Sequence, residues 1–181
     1  CSYCDTQYAY EEGGLMEVNH IFEQIAPHQC RLVEITGGEP LAQDHTPILI
    51  ESLLDDGYEV LLETNGSMDI SGVDERCVKI VDIKCPSSGM KDRNDLENLN
   101  RLSHRDEIKF VLGTREDYEF AKQVIRYREL GPKMTTPINF SPIFGQLAPE
   151  DLAQWILEDH LEVRLHLQLH KYIWDPQARG V

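Results

Sequence analysis

The chain opens Cys1-Ser2-Tyr3-Cys4-Asp5-Thr6. Two cysteines at this spacing bring two soft thiolates to one small inorganic centre, with the oxygens of Asp5 and Thr6 directly behind them. Such a pair serves zinc ribbons, thioredoxin-like redox pairs and iron–sulfur sites alike. Zinc asks for four closed protein ligands, and no second CxxC pair follows. A redox pair sits at the start of a helix after a strand, in a topology this chain does not repeat. Iron–sulfur chemistry suits a dithiolate in a loop, although two thiolates are too few for a four-iron cubane.

Four further groups could do chemistry. They are Thr36-Gly37-Gly38-Glu39, Glu63-Thr64-Asn65-Gly66, Asp82-Ile83-Lys84 with Ser88 behind it, and Gln168-Leu169-His170-Lys171. Glycines let a backbone approach a ligand closely, and acidic or carbonyl oxygens accept from an ammonium. Asn65 reads as a turn residue. Glu63 is placed to move a proton, with a pKa set by its neighbours. A Gln/His/Lys set offers mixed donors and acceptors to a heterocycle bearing a carboxylate.

The elements that must position these groups alternate along the whole chain. Val18, Ile21, Phe22 and Ile25 make the apolar stripe of a helix. Further helices are expected from Thr46 to Gly57 and over Asp92–Ser103, Arg115–Leu130 and Pro149–Asp159. Strands are expected at Arg31–Thr36, Glu59–Glu63, Cys77–Lys84, Glu107–Gly113, Pro137–Ser141 and Val163–Leu169. Six strands separated mostly by helices predict a single α/β domain with mostly parallel strands, either open and doubly wound or curled into a whole or partial barrel. In such folds chemistry gathers where strands end, and the four groups stand at predicted strand ends. Alternation puts Asp82 and Lys84 on one face, and Gln168 and His170 on one face if the last strand reaches them.

Composition narrows the function. The 181 residues carry 17 basic and 32 acidic side chains, a net charge of −15. No Lys/Arg run offers a basic face to phosphates, which argues against nucleic acid as a partner. No stretch approaches the ~18 continuous apolar residues of a membrane span. Five cysteines without a disulfide-like framework fit reduced thiols in a cytoplasmic protein, with Cys30, Cys77 and Cys85 as bystanders.

"CSYCDT", "ITGGEP" and "LETNG" together resemble the radical S-adenosyl-L-methionine (SAM) superfamily. Its cluster motif is C-x3-C-x-aromatic-C, and Cys1, Tyr3 and Cys4 match its end. The resemblance therefore predicts that a segment carrying the first strand and the first cluster cysteine precedes Cys1. "CDT", "GGEP", "ETNG", "DIKCPSSG", "FSP" and "QLHKYIW" are similar to the 7-carboxy-7-deazaguanine synthase family across almost the whole length.

That resemblance implies a partial (β/α) barrel of radical SAM type. It implies a lyase converting 6-carboxy-5,6,7,8-tetrahydropterin to 7-carboxy-7-deazaguanine with loss of ammonia, in queuosine and 7-deazapurine biosynthesis. The implied cofactors are a 4Fe-4S cluster, SAM and Mg2+. The implied partners are the pterin, an electron donor such as flavodoxin or ferredoxin, and a second copy in a homodimer. Cys1 and Cys4 would ligate the cluster and Thr6 the Mg2+. Tyr3, Gly37, Gly38, Glu39, Asp82, Lys84 and Ser88 would contact SAM. Thr36, Gln168, His170 and Lys171 would contact substrate, and Glu63 would be catalytic. Two rivals are another radical SAM enzyme, such as a glycyl-radical activase, and a non-catalytic α/β domain whose CxxC holds zinc.

Overall fold

In the computed structural model, residues 1–8, 13–127 and 136–180 are described. Six strands form one sheet in the order β1-β2-β3-β4-β5-β6, and every neighbouring pair is parallel. They are β1 (Leu32–Ile35), β2 (Glu59–Thr64), β3 (Val78–Ile83), β4 (Glu107–Leu112), β5 (Ile138–Pro142) and β6 (Arg164–Leu165). The main helices between them are α1 (Val18–Ile25), α2 (Thr46–Asp55), α3 (Asn98–Arg101), α4 (Arg115–Tyr127), α5 (Pro149–Glu158) and α6 (His170–Ile173).

Strand order in register with chain order distinguishes the two α/β alternatives. A doubly wound sheet reverses direction at a switch point, whereas here each strand adds to the same edge. With right-handed crossovers, such an order puts the helices on one face and leaves the other concave. The sheet is open, with β1 and β6 at its two edges. This is the expected partial barrel.

Alternation within the strands divides the two faces. Val60 and Leu62 of β2, Val81 and Ile83 of β3, Ile108, Phe110 and Leu112 of β4, and Phe140 of β5 are fully buried. They pack with Ile50 and Leu53 of α2, Tyr118 and Ala121 of α4, and Leu152 of α5 in one continuous core. The alternate positions Glu34, Glu63, Asp82, Lys109 and Asn139 occupy the opposite face. Register brings Glu63 beside Ile80, Asp82 beside Lys109 and Lys109 beside Asn139.

Two expected elements differ. The helix expected over Asp92–Ser103 is a 3-10 turn (Lys91–Arg93) and the single turn of α3. Its Asn94 and Asn98 side chains bond backbone elsewhere, which competes with helix formation. Asn94 Oδ1 accepts from Lys84 N and its Nδ2 donates to Lys84 O, both at 2.9 Å. Buried Asn98 donates to Met68 O at 2.7 Å.

The strand expected over Val163–Leu169 is only Arg164–Leu165. Its one neighbour, β5, ends at Pro142, which has no N–H to continue the ladder. The chain then turns into α6, so Gln168 and His170 do not alternate along a strand. The end of the helix expected over Arg115–Leu130 lies outside the described residues. Among the described residues no helix is long and apolar enough to cross a membrane.

Candidate active site

The loop Cys1–Thr6 lies across the strand ends and is tied to both sides of the cavity. Ser2 N donates to Ser88 O at 3.0 Å, and Ser2 Oγ donates to Ser87 O at 2.7 Å. On the other side the Asp5 carboxylate meets Lys171 Nζ at 2.9 Å and His170 Nε2 at 3.5 Å. Between these anchors Cys1 and Cys4 are half-buried free thiols, and Thr6 Oγ1 lies 3.7 Å from Cys4 Sγ. Tyr3 turns inward. Burial, with the negative fields of Asp82, Cys85 and Asp117, pushes its pKa far above the usual phenol range, so it stays a neutral donor. Among the described residues, its hydroxyl, Asp82 Oδ1 and Ser87 Oγ are buried without hydrogen-bond partners.

The ends of β1 and β2 are joined by one side chain. Glu39 accepts from Thr64 Oγ1 at 2.8 and 2.9 Å, from Asn65 N at 2.8 Å and from Leu41 N at 3.1 Å. Three donors commit this carboxylate to the fold, so the segment offers the cavity mainly the backbone of Gly37 and Gly38. Gly37 has φ +144°, and a Cβ there would meet nothing within 4 Å. Asn65 Oδ1 accepts from Ser67 N at 2.9 Å, which makes it the turn residue expected from sequence. Gly66 completes that turn at φ +70°, where a Cβ would stand 3.1 Å from Val81 Cγ1.

Across the concave face run two linked ion pairs. Lys84 Nζ donates to Asp82 Oδ2 at 2.6 Å, and Lys109 Nζ donates to Glu63 Oε1 at 2.7 Å. Burial pushes the Lys109 pKa down, but Glu63 and Asp82 outweigh it and hold the ammonium above the ordinary lysine range. Beside them, burial and the Glu63 charge raise the pKa of Glu34. Lys109 lines the cavity and was not among the expected site residues. Its signal is present in "EIKFVLG", where alternation sets Glu107, Lys109 and Val111 apart from the buried Ile108, Phe110 and Leu112.

These groups surround a cavity of about 1110 Å³. Its wall includes Cys1, Tyr3, Cys4 and Thr6, the segment Thr36–Glu39, and Glu63, Asp82, Lys84, Gln168 and His170. Two expected contacts are not on that wall. Ser88 is buried, with its hydroxyl donating to Cys85 O at 2.6 Å and accepting from Met90 N at 3.0 Å. Lys171 is turned to Asp5 and to Pro176 O, the latter at 2.8 Å.

Among the described residues, no group of three or more His, Cys, Asp or Glu side chains could hold a metal ion by itself. The donors present fit a cluster bound in part by Cys1 and Cys4. Both thiols are free of disulfides, reach the cavity and face a volume with room for organic ligands beside an inorganic centre.

No family model matches the chain. Among curated proteins it is 44% identical to the 7-carboxy-7-deazaguanine synthase of Koribacter versatilis over 197 residues, covering 100% of this chain and 86% of that protein. It is 45% identical to the enzyme of the same name from Chlorobaculum tepidum over 184 residues, covering 100% and 83%. Among solved structures, QueE from Escherichia coli superposes with a TM-score of 0.63 at 19% identity, over 93% of this chain and 79% of that one. Streptococcus suis SuiB bound to S-adenosylmethionine superposes with a TM-score of 0.56 at 11% identity, over 93% of this chain and 44% of that one. These two likenesses concern the fold, and they agree with the open parallel barrel described above. Whole-chain identity to curated relatives decides against both rivals, and the chain belongs to the 7-carboxy-7-deazaguanine synthase family of radical SAM enzymes.

Proposed function

We propose that this chain converts 6-carboxy-5,6,7,8-tetrahydropterin to 7-carboxy-7-deazaguanine with loss of ammonia, as a radical SAM lyase of queuosine biosynthesis. The observation that carries the reading is the shared cavity. It brings Cys1, Cys4 and Thr6 against Thr36–Glu39, Glu63, Asp82 and Lys84, four separate stretches of sequence at one sheet edge.

Cys1 and Cys4 supply thiolates to a 4Fe-4S cluster. When bound, the cluster and SAM together supply one-electron chemistry that removes, and later returns, a single substrate hydrogen. The chain's own residues bind, orient and shield. The bare backbone at Gly37-Gly38 lets a ligand approach closely, and Glu39 fixes that backbone through its three donors. The orphaned Tyr3 hydroxyl donates and the orphaned Asp82 Oδ1 accepts, so both find partners when SAM fills the cavity. Thr36, Gln168 and His170 present mixed donors and acceptors to the pterin. Glu63 moves a proton during the rearrangement, and the Lys109 ammonium holds its carboxylate in place through one hydrogen bond. The apolar strand bodies beneath exclude water, which protects a reactive radical.

Mg2+ joins this set through the Thr6 hydroxyl, a hard oxygen that a cation keeping several waters accepts. A cytoplasmic flavodoxin or ferredoxin supplies the electron, and two copies of the chain form the working dimer.

Anaerobic reconstitution with iron and sulfide tests the whole reading. The natural polypeptide is expected to turn brown, bind SAM and release ammonia from the carboxytetrahydropterin together with a product of the mass of 7-carboxy-7-deazaguanine. Cys4→Ala abolishes all three. Colourless protein with stoichiometric zinc overturns it.

A further inference from the structure

The two ends of the described chain meet over the cavity. Asp5, between Cys4 and Thr6, pairs with Lys171 at 2.9 Å and His170 at 3.5 Å, both from α6. Lys171 Nζ also donates to Pro176 O at 2.8 Å, which fixes the ammonium within its own segment. Beyond it the Arg179 guanidinium lies 4.8 Å from the centroid of the Tyr8 ring. The Lys171 side chain is 11% exposed and that of Asp5 36%, so water screens the pair only in part.

The sheet gives this contact its meaning. β1 and β6 are edges that do not pair, so no ladder joins the two sides of the barrel. The cysteine loop has almost no regular secondary structure and takes its order from what it touches. Ser2 holds it to the carbonyls of Ser87 and Ser88 beyond β3, and Asp5 holds it to α6 beyond β6. Cys4 lies between these two attachments.

We infer that α6 is a clasp whose Lys171 is a positioning residue for the cysteine loop, and not a substrate ligand. Its ammonium fixes Asp5, and through Asp5 the adjoining Cys4 and Thr6. His170 belongs to the same turn and lines the cavity. The inference rests on the proposed role of Cys4 as a cluster ligand.

The test uses the full natural polypeptide with Lys171→Met, Lys171→Arg, Asp5→Asn and the Asp5→Asn/Lys171→Met double variant. In metal-free protein, limited proteolysis reads the clasp directly. Lys171→Met and Asp5→Asn are expected to raise cleavage after α5 about ten-fold, the order set by a partly shielded ion pair. The double variant is expected to be no worse than either single one, and Lys171→Arg to restore most of the protection. In reconstituted protein, iron loss to a chelator is expected to accelerate similarly in the same variants, while the Michaelis constant for the pterin stays within about two-fold.

Wild-type protection in Lys171→Met, additive effects in the double variant, or a raised pterin constant with normal iron retention would each overturn the clasp. Should the wild type hold no iron at all, the proposed function fails, and the proteolysis of the metal-free chain still judges the clasp.

Discussion

Lys109 Nζ lies 2.7 Å from Glu63 Oε1 on the concave face of the barrel, joining β4 to β2 across the intervening β3. Neither side chain has the exposure of a surface pair, at 18% and 27% respectively. Removing one partner therefore leaves a charge in a poorly solvated place. Lys109→Met is expected to destabilise the fold by about 2 kcal/mol, between the surface and buried limits. Adding Glu63→Leu in the same chain is expected to recover most of that loss, although activity is abolished. Denaturant unfolding of the two single variants and the double variant checks the cycle.

Glu34 gives a dependence on pH. Burial and the Glu63 charge raise its pKa in the folded chain above the unfolded value. The folded state therefore binds more protons between the two values. Its contribution to stability is present below the unfolded pKa and is lost as pH rises through the folded one. At neutral pH the ionised Glu34 opposes folding. Glu34→Gln is expected to raise Tm by about 2 °C near pH 7, with the gain disappearing near pH 4. Thermal melts of both proteins across that range decide the sign.

Glu39 is held by three donors, so its loss should act on the backbone it holds. Glu39→Gln replaces an accepting oxygen with an NH2 group that opposes the hydroxyl of Thr64 or the amide of Asn65. SAM affinity is expected to fall about ten-fold, the scale of one or two charge-assisted bonds. Equilibrium binding of SAM to reconstituted protein measures it. Unchanged affinity would mean that Gly37 and Gly38 hold their shape without this brace.

The proposed Mg2+ role of Thr6 can be tested apart from the cluster. Thr6→Val keeps the side-chain shape and removes the hydroxyl beside Cys4. Stimulation by Mg2+ is expected to disappear, while iron content and SAM binding stay normal and Thr6→Ser retains the stimulation. Titrating Mg2+ against turnover reads this, and a full Mg2+ response in Thr6→Val would remove Thr6 from the metal site.

Much of this architecture was legible in the chain itself, because strand bodies such as Val60, Leu62, Ile108 and Phe110 carry local periodicity. Periodicity is a property of neighbours in sequence, and it separates the core face from the cavity face without reference to the rest of the chain. The polar strand ends were legible for the same reason. The stretch Asp92–Ser103 was misread as a helix because its Asn94 and Asn98 side chains find backbone partners far away, at Lys84 and Met68. The last strand was cut short by Pro142, a residue of its neighbour and not its own.

The cysteine spacing, the glycine-rich turn, the alternation of strand and helix and the family motifs were fixed by sequence alone. Only the tertiary structure decided that Lys109 meets Glu63, that Glu39 joins the ends of two strands, and that Lys171 is engaged by Asp5. The physical reason is that charge pairing depends on distance in space. In a parallel barrel, topology and register set that distance between residues whose local sequence carries no sign of one another.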